Sequence, residues 1–99
     1  MSESEWKVSK VEEGHRGLFE LTKDGDAVGK MTFSRLSPTE IIVDHTETDD
    51  SIRGQGGGKR LFDGLVAWAR DSGTSIRATC PFALAMFERH PETQDVLAK

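Results

Sequence analysis

The chain has 99 residues, enough for one small domain with a single core, and we expect that domain to occupy 1–99 with residues 1–5 frayed. A formal net charge of −4 argues against nonspecific nucleic-acid binding, and a single cysteine excludes a disulfide within the chain. The sequence has no apolar run long enough to span a membrane, and its acidic beginning is unlike a signal peptide, so we expect a cytoplasmic protein.

The first half of the chain has the pattern of antiparallel strands. A short strand is expected over 6–11, and alternation of apolar and polar residues predicts further strands over 16–23, 27–36 and 40–48. An Asp-Gly pair at 24–25 favours a hairpin turn between two of them. Together these segments predict an antiparallel meander.

A glycine-rich loop at 53–58, Arg-Gly-Gln-Gly-Gly-Gly, is the most informative segment. It leads directly into a helical pattern of apolar residues from Leu61 to Ala69, and Gly73 lies where a left-handed cap would end the helix. Glycine lets backbone N–H groups approach a ligand, and a helix N-terminus adds unpaired donors and a positive dipole end. Such a combination binds phosphate, so we predict an anion site for the diphosphate of a nucleotide-like cofactor.

Three glycine-rich phosphate motifs compete for this loop. The Walker pattern needs glycine at 53 and a hydroxyl residue at 60, but both positions are arginine; the dinucleotide pattern meets Lys59 where its last glycine is required. The pattern R/Q-x-x-G-x-G/A is satisfied by Arg53, Gly56 and Gly58 and is similar to the pyrophosphate loop of acetyl-CoA-dependent N-acetyltransferases. A flexible linker is the alternative, although a linker would not usually run straight into so clear an apolar stripe.

The remainder of the chain predicts a strand and short helices. A strand is expected over 75–80, and Pro81 suits the first position of a short helix that continues over 83–89. Pro91 ends that helix, and residues 92–98 add a last turn or two. Counted from the strand over 16–23, the element order β-β-β-α-β-α calls for a mixed sheet with one parallel crossover, so the expected fold class is α+β, or mixed α/β.

Four segments in order carry a family resemblance. They are Asp-His-Thr-Glu at 44–47, the loop at 53–58, Cys-Pro-Phe at 80–82 and Glu-Arg-His-Pro-Glu at 88–92. Over 16–97 the chain resembles the small stand-alone GNAT-like acetyltransferases, the YjdJ-type domain family. The resemblance implies a minimal GNAT-like fold: an antiparallel β-meander, a β-α-β crossover and short C-terminal helices. Acetyl-CoA would lie where the strands over 40–48 and 75–80 splay apart.

The resemblance also implies acetyl transfer from acetyl-CoA to an amine, either a protein lysine, a polyamine or another small amine. Backbone N–H groups of the loop would hold the pyrophosphate, and Arg53, Lys59 and Arg60 would contact CoA phosphates unless they are merely solvated cations at the helix start. Relatives usually carry a bulky aliphatic residue where this chain has Gly57, a change that keeps the binding role but loosens the loop. The expected cofactor-binding residues are Arg53, Gly54, Gln55, Gly56, Gly57, Gly58, Lys59, Arg60, Cys80 and Pro81.

Three residues are candidates for the chemistry. Cys80 precedes a helix N-terminus, whose dipole favours a thiolate; it accepts the acetyl group, protonates the departing thiolate or merely packs. His45 and Glu47 share a face of their strand, and either is a candidate general base or part of a solvated strand end. Histidine titrates near neutral pH, and a glutamate can act through water or bind a cationic acceptor.

The other ionisable residues carry weaker expectations. His90 is a helix-end residue with a capping or packing role, and His15 lies in a surface turn. Because no C-x-x-C or H-x-x-x-H spacing is present, no metal site is expected.

Two other functions stay open at this point. The chain is alternatively a non-catalytic module that binds CoA or acetyl-CoA, or a small phosphate-binding scaffold unrelated to CoA. The acidic segment 44–50 favours a cationic acceptor and disfavours nucleic acid as a partner. No membrane partner is expected, and we expect a monomer or a weak dimer.

Overall fold

The computed structural model describes residues 4–98. We expected residues 1–5 to be frayed, and residues 1–3 lie outside the described range. Glu5 is held in place, because its backbone N–H donates to Asp24 Oδ1 over 2.8 Å. One five-stranded sheet runs through the described residues in the order β1-β2-β3-β4-β5. Its strands are β1 Trp6–Glu13, β2 Arg16–Lys23, β3 Asp26–Ser37, β4 Glu40–Thr48 and β5 Ser75–Ala78. The helices are α1 Gly57–Ser72 and α2 Pro81–Arg89, with 3-10 turns at Asp50–Ile52 and Pro91–Val96.

The antiparallel meander is confirmed, with a longer first strand than expected. β1 extends to Glu13 because it pairs residue for residue with β2, from Trp6 opposite Lys23 to Glu13 opposite Arg16. β5 is shorter than expected and ends at Ala78 rather than at residue 80. The chain turns there, since the N–H groups of the next two residues both donate to the same carbonyl oxygen of β4.

Both α-helices pack on one face of the sheet. Phe19 and Phe33 are buried with their rings against Trp68 of α1. The rings of Phe62 and Phe87 join the two helices with centroids 4.9 Å apart. The alternating residues of the opposite face remain exposed or half-buried, so no helix of the described chain covers it. We call this the open face; it includes Glu20, Lys30, His45 and Glu47.

A bulge in β4 opens a cleft beside β5. Thr32 pairs with His45 and Phe33 with Val43, which leaves Asp44 as an extra residue in β4. Parallel pairing with β5 stops at the same place, at Val43 opposite Ala78. Beyond Val43, β4 continues along β3 to Thr48, whereas the chain that follows β5 turns into α2. The two parallel strands therefore separate beyond Val43, between β4 and the edge strand β5.

Candidate functional site

The glycine-rich loop presents free backbone donors at the start of α1. Gly56 is the N-cap and has φ of 76°, in the left-handed region that favours glycine, and it has no side chain that could cap the helix. The first intrahelical bond runs from the N–H of Arg60 to the carbonyl of Gly56 over 3.0 Å. The N–H groups of Gly57, Gly58 and Lys59 therefore have no partner inside the helix and are available to a ligand.

Close packing explains why Gly57 and Gly58 are glycines. A Cβ atom at Gly58 would lie 2.6 Å from Phe82 Cζ, and one at Gly57 would lie 2.5 Å from Ile52 Cδ1. Ile52 is buried and fills the space that a side chain at 57 would need. We expected Gly57 to loosen the loop; the structure instead packs the loop tightly at this residue.

A cavity of about 500 Å³ lies between this loop, the end of β4 and α2. We call it the loop cavity. From β4 and the loop its lining residues are Thr48, Asp49, Asp50, Ile52, Arg53, Gly54, Gly56, Gly57, Gly58 and Lys59. From α2 they are Phe82, Met86 and Arg89. The cavity thus brings together most of the expected cofactor-binding residues.

Four expected cofactor-binding residues lie outside the loop cavity. The Gln55 side chain turns away and accepts a hydrogen bond from Lys23 Nζ over 2.7 Å. The Arg60 guanidinium lies over the Trp6 ring, 4.3 Å from its centroid. Pro81 is exposed at the start of α2, and Cys80 is buried beside it. The lining residues of α2 were not anticipated, although their spacing at 82, 86 and 89 is that of one helix face.

Cys80 contacts the part of β4 that no longer pairs with β5. Its thiol is almost fully buried, and Sγ lies 3.3 Å from Thr46 Oγ1. Cys80 is also the N-cap residue of α2, followed directly by Pro81. The thiol is therefore inside the cleft between β4 and α2, rather than at the end of a strand as the sequence predicted.

His45 and Glu47 lie on the open face, away from that thiol. His45 Nε2 is 3.4 Å from Glu47 Oε2, and Lys30 Nζ is 3.3 Å from the other carboxylate oxygen. The hydrogen bond from Lys30, followed by that from His45, holds the pKa of Glu47 below its usual range. Since side chains alternate along a strand, Thr46 faces Cys80 while its two neighbours face outward.

A second cavity, of about 290 Å³, adjoins these open-face residues. We call it the acidic cavity, because Glu20, Glu47 and Asp49 line it together with Lys30 and residues 27–29. Thr48 and Asp49 line the loop cavity as well. The two cavities therefore meet at the end of β4.

The remaining histidines lie at element ends. His90 is the C-cap of α2, where its N–H donates to the carbonyl of Met86 over 2.9 Å, and His15 is exposed in the β1–β2 turn. Within residues 4–98 no three His, Cys, Asp or Glu side chains are grouped to hold a metal ion. Within the same residues, no helix is long and apolar enough to cross a membrane.

Comparison with known proteins identifies the family to which a chain with this fold and cleft belongs. A sequence profile described as GCN5-related N-acetyl-transferase matches residues 18–96, and the chain belongs to that family. The family resemblance inferred from the sequence, the minimal fold and acetyl-CoA as the cofactor are thereby confirmed. The protein is an acetyltransferase that uses acetyl-CoA as donor. The narrower YjdJ-type assignment stays a prediction.

Solved structures agree with this assignment. A GCN5-like protein of Staphylococcus aureus, determined by NMR, is 30% identical with a TM-score of 0.68, over 93% of this chain and 87% of its own. A ribosomal-protein-alanine N-acetyltransferase of Brucella melitensis is 24% identical with a TM-score of 0.67, over 79% of this chain and 62% of its own. An aminoglycoside N-acetyltransferase in complex with CoA is 13% identical with a TM-score of 0.62, over 99% of this chain and 91% of its own. The last two show the fold alone. No curated protein matches the chain.

Proposed function

We propose that the protein transfers the acetyl group of acetyl-CoA to a cationic amine, with the CoA pyrophosphate in the loop cavity. The observation that carries the proposal is the set of N–H groups at 57–59 that lack a partner inside the helix and border this cavity. A helix N-terminus of this kind is a ready anion site. Arg53 and Lys59 border the same cavity, and each is also paired with a carboxylate, Asp50 and Asp63 respectively. The residues present thus fit a diphosphate.

The cleft between β4 and α2 would receive the acetyl end of the cofactor. When bound, acetyl-CoA supplies an activated thioester. Beyond Val43, no strand within residues 4–98 pairs with β4 on its β5 side, so its backbone donors on that side are available to stabilise an oxyanion. Cys80 lies across this cleft, and we propose that its thiol either takes up the acetyl group or gives a proton to the departing thiolate. Packing alone is the third possibility for Cys80.

His45 is the better proton acceptor of the two open-face candidates. Glu47 is held ionised by the hydrogen bonds from Lys30 and His45, which makes it a weak base at neutral pH. We therefore propose that His45 takes the proton of the attacking amine. Glu47 orients the imidazole and attracts the incoming cation.

The acidic cavity supports a positively charged acceptor. Its carboxylates, Glu20, Glu47 and Asp49, outnumber its single lysine, and it meets the loop cavity at the end of β4. Because no helix of the described chain covers the open face, an acceptor can approach it directly. A protein lysine, a polyamine and a small amine all satisfy this arrangement. The expected cytoplasmic location and monomeric or weakly dimeric state stay predictions.

Calorimetry with acetyl-CoA, CoA and ATP tests the cofactor site. Gly56→Asp should abolish binding of acetyl-CoA, because a carboxylate would occupy the anion site. Gly14→Asp is the matched control: both glycines have positive φ, and a Cβ atom at either would meet no surrounding atom within 4 Å, but Gly14 lies in the β1–β2 turn. Equal loss in both variants, or no binding to the unmodified protein, would overturn the placement.

The alternative functions give different results in the same assays. A non-catalytic CoA-binding module would bind CoA tightly and acetylate none of a panel of polyamines, lysine peptides and small amines. A phosphate-binding scaffold would bind ATP or inorganic phosphate as well as it binds CoA. Turnover with any cationic amine, combined with a preference for CoA over ATP, supports the proposed function against both.

A further inference from the structure

Arg89 is a cation of the loop cavity that motif analysis did not assign. It is the last residue of α2 and lines the cavity together with Phe82 and Met86 from the same helix. The cavity also contains the carboxylates of Asp49 and Asp50, which oppose an anionic ligand. The balance between these charges decides how strongly phosphate groups are held.

The other cations near the loop already have partners. Arg53 Nη2 lies 3.0 Å from Asp50 Oδ1, and Lys59 Nζ lies 2.6 Å from Asp63 Oδ1. Arg60 is stacked over a tryptophan outside the cavity. Within residues 4–98, Arg89 makes neither an ion pair nor a side-chain hydrogen bond. It is the lining cation whose charge is left for a ligand.

The position of Arg89 separates it from the helix N-terminus that binds the pyrophosphate. Phe82 contacts Gly58, and Arg89 follows it by seven helical residues, a rise of roughly 10 Å along α2. CoA carries a further phosphate on the 3′ oxygen of its ribose, close to the diphosphate but distinct from it. A guanidinium binds such a group with two parallel hydrogen bonds.

We propose that Arg89 binds the 3′-phosphate of acetyl-CoA and makes the protein select CoA over dephospho-CoA. The proposal rests on the proposed placement of the pyrophosphate in the loop cavity. It adds a residue of α2 to a site that the loop motif alone does not define.

Binding of CoA and dephospho-CoA to the unmodified protein and to Arg89→Gln tests this proposal. The variant should bind CoA roughly tenfold more weakly and dephospho-CoA with unchanged affinity. Arg89→Lys should lose part of the preference, because lysine keeps the charge but not the paired geometry. Arg77→Gln is the charge-matched control, since Arg77 lies on β5 and pairs with Glu40 outside the loop cavity.

The results separate this proposal from the proposed function. If Arg89→Gln weakens both ligands equally, or neither, the role of Arg89 at the 3′-phosphate is overturned while CoA binding stands. If the unmodified protein binds neither ligand, the cofactor placement itself fails. Thermal unfolding of Arg89→Gln should match that of the unmodified protein, because within residues 4–98 the side chain is exposed and makes no ion pair. A large drop would contradict a ligand-directed role.

Discussion

The ring of Phe82 lies directly over Gly58, so that a Cβ atom at residue 58 would be 2.6 Å from Phe82 Cζ. This contact joins the first turn of α1 to the first turn of α2. Both residues also line the loop cavity. The glycine therefore has two roles, since it exposes a backbone donor and admits the aromatic side chain that forms the opposite wall.

Gly58→Ala should weaken acetyl-CoA binding more than it changes stability. The added methyl group pushes the half-buried Phe82 ring into the cavity, whereas alanine favours the helix by about 1 kcal/mol over glycine. We expect roughly a tenfold loss of affinity by calorimetry. In a Phe82→Leu background the same substitution should have a smaller effect. Equal losses in both backgrounds would show that the contact does not determine binding.

Cys80→Ala distinguishes a chemical role from packing. If the thiol takes part, kcat should fall at least roughly tenfold while acetyl-CoA affinity changes little, because Cys80 lies outside the loop cavity. Intact mass spectrometry after incubation with acetyl-CoA should then show one added acetyl group if the route is covalent. Thr46→Val is a companion variant that removes the hydroxyl 3.3 Å from the sulfur but keeps the shape. Full turnover by Cys80→Ala with a true acceptor would leave only the packing role.

Substitutions at His45 and Glu47 should affect different kinetic constants. His45→Gln should lower kcat, because glutamine cannot take the proton of the attacking amine. Glu47→Gln should mainly raise KM for a cationic amine, since the carboxylate is held ionised and acts by attraction. Glu13→Gln, on β1 and outside the acidic cavity, is the control. An unchanged kcat in His45→Gln would contradict the assignment of the base.

The Glu12–Arg35 pair should make stability depend on acid pH. Arg35 Nη2 donates to Glu12 Oε1 over 3.1 Å, and the hydrogen bond from Arg35 lowers the pKa of Glu12 to about 2. The folded state thus binds the proton less readily than the unfolded state, whose carboxyl titrates near 4.5. The pair makes its full contribution to the free energy of unfolding above the pKa of Glu12 in the unfolded state. This contribution is lost as pH falls through the pKa of Glu12 in the folded state.

Glu12→Gln measures that contribution. At pH 7 the variant should lower the free energy of unfolding by at most about 3 kcal/mol, a limit taken from the size of the pKa change. The difference from the unmodified protein should shrink between pH 4.5 and pH 2 in urea titrations. A difference that is constant over this range would show that Glu12 stabilises by packing rather than by charge.

Local patterns in the sequence were enough to predict most of the elements and the glycine-rich loop at the start of α1. Alternation of apolar residues predicted β2 and β4 with their observed bounds, because the two faces of a strand are set within the strand itself. Gly73 was predicted as the cap of α1 and has φ of 68° in that role. The loop motif depends on adjacent glycines and a following helix, so it too could be recognised from neighbouring residues.

The tertiary structure decided which side chains share a site. The bulge at Asp44 follows from the register between β3 and β4, and it determines that Thr46 faces Cys80 while His45 faces outward. Arg60 was expected at the cofactor, but stacking on Trp6 draws it away from the loop cavity. These contacts join segments far apart in the chain. Sequence periodicity describes each segment separately. Which side chains of different segments come into contact depends on strand register and on how the helices pack on the sheet.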